Sequence, residues 1–125
     1  MFDIDVSGSF ITKPQNVTVA VGDDAKIVCQ SDIDAAVNWQ VLLSSSASTS
    51  RERVCYNGEI VTGYIDKYSI DKPLVNQYNL VIRNVTYDDE GEYTCTERAG
   101  IGDSASAFLT VVEHRNSDDA GKDTV

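Results

Sequence analysis

Apolar and polar residues alternate with period two along most of this chain, in short runs separated by turn-forming residues. That pattern predicts half-buried β-strands, and helical periodicity is almost absent. Phe10–Lys13 and Asn16–Ala20 read as two short edge strands broken by Pro14, which has no N–H to give a ladder. Ala25–Gln30 places Ile27 and Cys29 on one face; Val37–Leu42 does the same for Val37, Trp39 and Val41. Ser44–Ser50 is a polar connection. Arg53–Tyr56 is a strand closed by the Asn57-Gly58 turn, and Ile60–Tyr64 reads as a further edge strand. Lys67–Asp71, Gln77–Arg83, Glu92–Arg98 and Ala105–Val112 complete the series, with Leu80 and Ile82 facing inward. About nine short strands at this spacing predict an all-β sandwich or barrel.

Composition narrows the function. The chain has 125 residues, which suits one domain, and 42% of them are apolar, enough for a packed core. Residues 1–8 read as a flexible N-terminal segment, 9–112 as the domain, and 113–125 as a polar linker or disordered tail. Asp and Glu number 20 against 10 Lys and Arg, for a net charge of -10. Nucleic acid and anionic membrane surfaces need a basic face, so neither is expected as a partner. No signal peptide is read at the N-terminus, and no run spans a bilayer, so any membrane link would need a segment absent from this chain. His114, the single histidine, falls beyond the last strand, and no nucleophile–base pair or carboxylate pair can be placed in a cleft. No enzyme activity and no cofactor or metal are therefore expected; Asp32-x-Asp34 reads as a solvated loop pair.

Three cysteines, Cys29, Cys55 and Cys95, allow at most one internal bridge. Asn16-Val17-Thr18 and Asn84-Val85-Thr86 are glycan-acceptor sequences, usable if the chain enters a secretory pathway.

Cys29, Trp39 ten positions on, Leu80-x-Ile82, and Asp89-Glu90-Gly91-Glu92-Tyr93-Thr94-Cys95, which fits D-x-G-x-Y-x-C, together resemble the immunoglobulin superfamily signature. The resemblance covers roughly Phe10 to Val112 and implies a Greek-key β-sandwich. It implies that Cys29 and Cys95 bridge the two sheets, that Trp39 packs on the bridge, and that the Tyr93 hydroxyl bonds back to the chain. Such a bridge closes a loop of about 65 residues and would contribute about 4 kcal/mol in the chain-entropy model. The forty residues between Trp39 and Leu80 suit the extra strands of a variable-type (V-set) domain. Lys67 stands where V-set domains place the basic partner of the motif aspartate, here Asp89. The family more often has Arg there, and Lys lacks its bidentate fork. The chain departs from rearranging antigen receptors, since Ser104-Ala105-Ser106 stands where their joining segment has G-x-G. It is similar instead to variable-type immune-like domains of lancelets and other invertebrates, and to V domains of chordate cell-surface receptors.

The resemblance also implies where a partner would bind. Such domains very often pair through the sheet face called GFCC′. Strand alternation sends Gln40 and Leu42, with Asn38, to that face, along with Thr94 and Thr96, and Phe108. Tyr56 and the end-loop residue Ile101 join them as candidate partner contacts. An outward aromatic such as Phe108 suits an interface anchor. Cys55 lies on the same sheet and has two readings, an intermolecular thiol or a buried free thiol. The expected function is an extracellular recognition or adhesion module of immune-receptor type. Its partner is a protein, including a second copy of the chain as a homodimer. Two alternatives are a secreted domain recognising carbohydrate or microbial surfaces, and a structural domain in a tandem chain. The first lacks the clustered loop aromatics that sugar stacking would use.

Overall fold

A computed structural model describes residues 10–32, 35–45, 50–98 and 101–114. The N-terminal segment, most of the tail, Asp34 and part of the Ser44–Ser50 connection lie outside the described residues. The strands are β1 (Phe10–Thr12), β2 (Val17–Ala20), β3 (Ala25–Ile27), β4 (Gln30–Ser31), β5 (Asn38–Leu43), β6 (Glu52–Tyr56), β7 (Glu59–Ile60), β8 (Tyr68–Asp71), β9 (Asn79–Ile82), β10 (Gly91–Thr96) and β11 (Ser104–Val112).

They form a sandwich. One layer is the six-stranded sheet β2-β11-β10-β5-β6-β7. The other is β3-β9-β8, prolonged by the β1-β4 pair through a bridge between Gln30 and Gln77. Pairing is antiparallel except between β2 and β11. Pro14 interrupts the first edge, as its missing donor requires.

The core fills the space between the layers. Ile27, Leu80 and Ile82 from the smaller sheet pack with Trp39, Val41, Tyr93 and Leu109 from the larger and with Val37 just before β5. Cys29 and Cys95 join the sheets through a disulfide with Cα atoms 6.6 Å apart. Trp39 is wholly buried, and its indole N–H donates to the Tyr78 carbonyl at 3.0 Å, so its one polar atom is satisfied.

The strand count exceeds the expected nine for a local reason. The Cys29 N–H donates to the Asn79 side-chain oxygen at 3.3 Å, not to a ladder carbonyl. The predicted Ala25–Gln30 strand is therefore split into β3 and β4. The predicted Ile60–Tyr64 strand also needs correction. Only Ile60 belongs to a strand, and Thr62–Tyr64 is a 3₁₀ turn. Here the chain leaves the larger sheet for the smaller. The Tyr64 hydroxyl donates to Glu52 at 2.6 Å and Arg83 donates to the Ile65 carbonyl at 2.8 Å, fixing that crossing.

The D-x-G-x-Y-x-C stretch owes each residue to a contact. Asp89 closes a capping box with Thr86 and lies 2.8 Å from the Lys67 ammonium. Gly91 passes so close to β5 that a Cβ there would strike the Leu42 carbonyl oxygen and lie 2.8 Å from the Leu43 Cα. The Tyr93 hydroxyl donates to the Asp89 carbonyl at 2.5 Å.

Candidate partner-binding face

The outer surface of the larger sheet is organised in rows across β11, β10, β5 and β6. In the first row Phe108 lies opposite Glu92, and Glu92 opposite Leu42. In the second, Ser106, Thr94, Gln40 and Arg53 follow one another. Ser104, Thr96 and Asn38 make the third.

The aromatic ends of this surface are open. Phe108 is 44% exposed and Tyr56 50%. Arg53 sits over the Tyr56 ring at 5.1 Å from its centroid, a cation–π contact that holds both side chains on the same face. Between the two ends, Arg51 meets Glu92 at 2.5 Å. Leu42 and Gln40 are half-buried. The face thus offers an aromatic anchor at one edge, a charge pair beside it, a shallow polar floor, and a second aromatic at the far edge.

Three residues expected to point into solvent do not reach it. Thr94 and Thr96 are buried, because their hydroxyls pair with those of Ser106 at 2.7 Å and Ser104 at 2.8 Å. β10 lies between β11 and β5, so flanking side chains close over its small residues. Asn38 is also buried, with its side-chain oxygen accepting the Asn57 N–H at 2.9 Å and anchoring the turn that follows β6. They form the floor of the face and leave contact to their larger neighbours.

The reading of Cys55 as an intermolecular thiol is overturned. A register shift in the β5–β6 pairing turns both Val54 and Cys55 into the core. The thiol lies 3.8 Å from the Val37 carbonyl, and burial pushes its pKa up to about 11. It is a buried free thiol and acts as a small apolar residue.

At the loop end of the sandwich, Ile101 is 85% exposed at the tip of the β10–β11 hairpin. Gly58 closes the turn after Tyr56 with φ of +82°, a conformation that favours glycine. Both acceptor asparagines are exposed. Asn16 borders the partner face, where its side-chain oxygen accepts the Phe108 N–H at 2.8 Å. Asn84 follows β9 of the opposite sheet and takes φ of 48°.

Sequence reasoning missed Glu97, which is buried and accepts a hydrogen bond from the Ser31 hydroxyl at 2.6 Å. The signal was present, because alternation that turns Tyr93 and Cys95 inward turns Glu97 inward as well. The Arg51–Glu92 pair had no comparable signal, since it joins residues 41 positions apart.

Comparisons with known proteins bear on the fold and the family. The family model described as "Immunoglobulin V-set domain" matches residues 12–113. The chain is similar to fibroblast growth factor receptor homolog 2 of Drosophila melanogaster, with 31% identity over 110 residues covering 85% of this chain and 10% of that protein. It is similar at the same 31% identity to fibroblast growth factor receptor 1 of Xenopus laevis, over 80% of this chain and 12% of the receptor. It therefore spans about a tenth of the length of these relatives. Among solved structures it resembles the RIG-5 IG1 homodimer, with a TM-score of 0.68, 17% identity, and 83% of this chain and 96% of that one covered. It also resembles Dpr1 IG1 bound to DIP-eta IG1, with a TM-score of 0.66, 19% identity, and 82% and 93% covered. At such identities these likenesses speak for the fold.

Proposed function

The chain belongs to the immunoglobulin V-set family, and from that premise we propose that it is an extracellular recognition module that binds a protein through the outer face of its six-stranded sheet. The observation that carries this reading is the row joining Phe108, Glu92 and Leu42, with an exposed aromatic next to a charge pair and a half-buried aliphatic. Interfaces of this kind place aromatic and Arg anchors within a polar surround. The intersheet disulfide supports an oxidising, extracellular setting.

A second V-set domain is the partner this surface fits, and a second copy of the chain is the simplest case. A face-to-face pair related by a two-fold axis would let each Phe108 meet the half-buried aliphatic surface of the other copy. A RIG-5 IG1 homodimer and a Dpr1–DIP-eta IG1 complex exist among the structural neighbours, which lends support to pairing between such domains. The chain's net charge of -10 opposes self-association. On the face itself Arg51 and Arg53 outnumber Glu92, so repulsion is least there. Pairing would be adhesive or receptor-like in role, weak, and strengthened by salt that screens the long-range repulsion.

Nuclear magnetic resonance of the labelled domain tests the location. On concentrating the sample, the resonances of Gln40, Leu42, Glu92 and Phe108 should move while those of Ile65 and Tyr87 stay. Shifts clustered on the smaller sheet or at the hairpin tip would contradict the reading.

A further inference from the structure

We propose that Asn16 carries an N-linked glycan whose first sugar lies over the Phe108 ring and masks that end of the outer face. This inference rests on the reading of that face as the partner surface.

The placement starts from strand pairing. β2 runs parallel to β11 with Val17 level with Leu109, so the residue before each strand pair brings Asn16 beside Phe108. The Asn16 side-chain oxygen then accepts the Phe108 N–H at 2.8 Å and extends the ladder by one bond. With its oxygen committed to β11, the planar carboxamide is held in place and leaves Nδ2 as the group to be modified. Asn16, Glu92, Ser106 and Phe108 line one shallow depression, so a sugar on Nδ2 begins at its rim. Phe108 is 44% exposed there, and an aromatic face is a good surface for the C–H groups of a pyranose ring.

Asn16-Val17-Thr18 supplies the acceptor sequence, and Asn16 and Thr18 are exposed. The donor is an oligosaccharide carried on a lipid diphosphate. Nδ2 attacks the anomeric carbon, the new C–N bond forms, and the bond from that carbon to the diphosphate oxygen breaks. The diphosphate leaves with the electron pair, and the amide nitrogen gives up one proton.

The second acceptor sequence provides the contrast. Asn84 follows β9 in the opposite sheet, and its N–H donates to Asp24 at 2.8 Å. A glycan there leaves Phe108 uncovered. The two sites therefore differ in consequence: sugar at Asn16 closes one edge of the partner face, and sugar at Asn84 does not.

The test uses the full chain from a eukaryotic secretory host. Thr18→Val removes the Asn16 acceptor sequence and keeps both a β-branched strand residue and the Asn16–Phe108 bond. Asn84→Asp removes the other and suits the positive φ. Peptide mapping reports occupancy, and hydroxyl-radical footprinting of monomeric samples reports access to the Phe108 ring. The expected result is sugar at Asn16 in the parent and in N84D, with a loss of Phe108 oxidation relative to T18V in both. An unoccupied Asn16, or Phe108 oxidised equally in parent and T18V, overturns the inference. Because the samples are monomeric, this outcome does not depend on whether the face binds a partner. T18V should also self-associate about tenfold more tightly than the glycosylated parent, the size of effect expected from uncovering one interface anchor. Equal association of T18V and parent, in a protein whose association Phe108→Asp weakens, overturns the masking role. Association that Phe108→Asp leaves unchanged instead overturns the partner reading, and the footprint still decides the position of the sugar.

Discussion

The Lys67 ammonium lies 2.8 Å from the Asp89 carboxylate, and the same carboxylate oxygen accepts the Thr86 N–H at 2.8 Å. Lys67 also donates to the Asn84 carbonyl at 3.2 Å. One side chain thus ties the entry to β8 to the turn that starts D-x-G-x-Y-x-C. Asp89 is only 7% exposed, while Lys67 keeps about a third of its side chain in solvent, which screens the pair. Lys67→Met should lower stability by about 1–2 kcal/mol, because it leaves a buried carboxylate one partner short. Urea denaturation measures this, and an unchanged midpoint would show that Thr86 alone satisfies Asp89.

The Cys29–Cys95 bridge spans 66 positions and joins the two layers at Trp39. Reduction, or the paired change to Ala, should cost about 2–5 kcal/mol, a large share of a small domain's margin. Thermal melts with and without strong reductant measure it. A melting temperature that does not move would mean that the core alone holds the sheets together.

Alkaline pH should weaken the fold through its buried acids. Burial raises the Cys55 thiol from 9.0 to about 11 and the Tyr68 phenol from 10.0 to about 12. Between each pair of values the unfolded chain has released a proton that the native state retains. Stability is therefore full well below pH 9 and falls as pH rises through that window, by about 3–4 kcal/mol at pH 11, with Cys55 contributing the larger part. Denaturant midpoints across pH 7 to 11 test the sign. The same burial makes native Cys55 slow to react with a thiol reagent at pH 8, with release on unfolding. Rapid native reaction would place the thiol at the surface.

The elements legible in the sequence are those whose signal is local or fixed by spacing. Period-two alternation placed Ile27, Val41, Leu80 and Ile82 inward, and they are buried. The cysteine and tryptophan spacing carried the sandwich. Alternation left Cys55 open between an outward and a buried thiol, and the register shift in β5–β6, which no local residue announces, decides for the buried one. Thr94 and Thr96 have the predicted direction, yet small side chains in a central strand are covered by their neighbours. Asn16 beside Phe108 depends on pairing residues 92 positions apart, which pattern alone does not reveal.

Self-recognition through the outer face is tested by light scattering of the oxidised, unglycosylated domain over a concentration series in moderate salt. The mass should rise toward a dimer with concentration and ignore mild reductant, because Cys55 is buried. Phe108→Asp should return the mass to that of a monomer, while Ile101→Asp, at the hairpin tip, should leave the dimer intact. A dimer that survives Phe108→Asp, or a monomer at every concentration, would contradict self-recognition through this face.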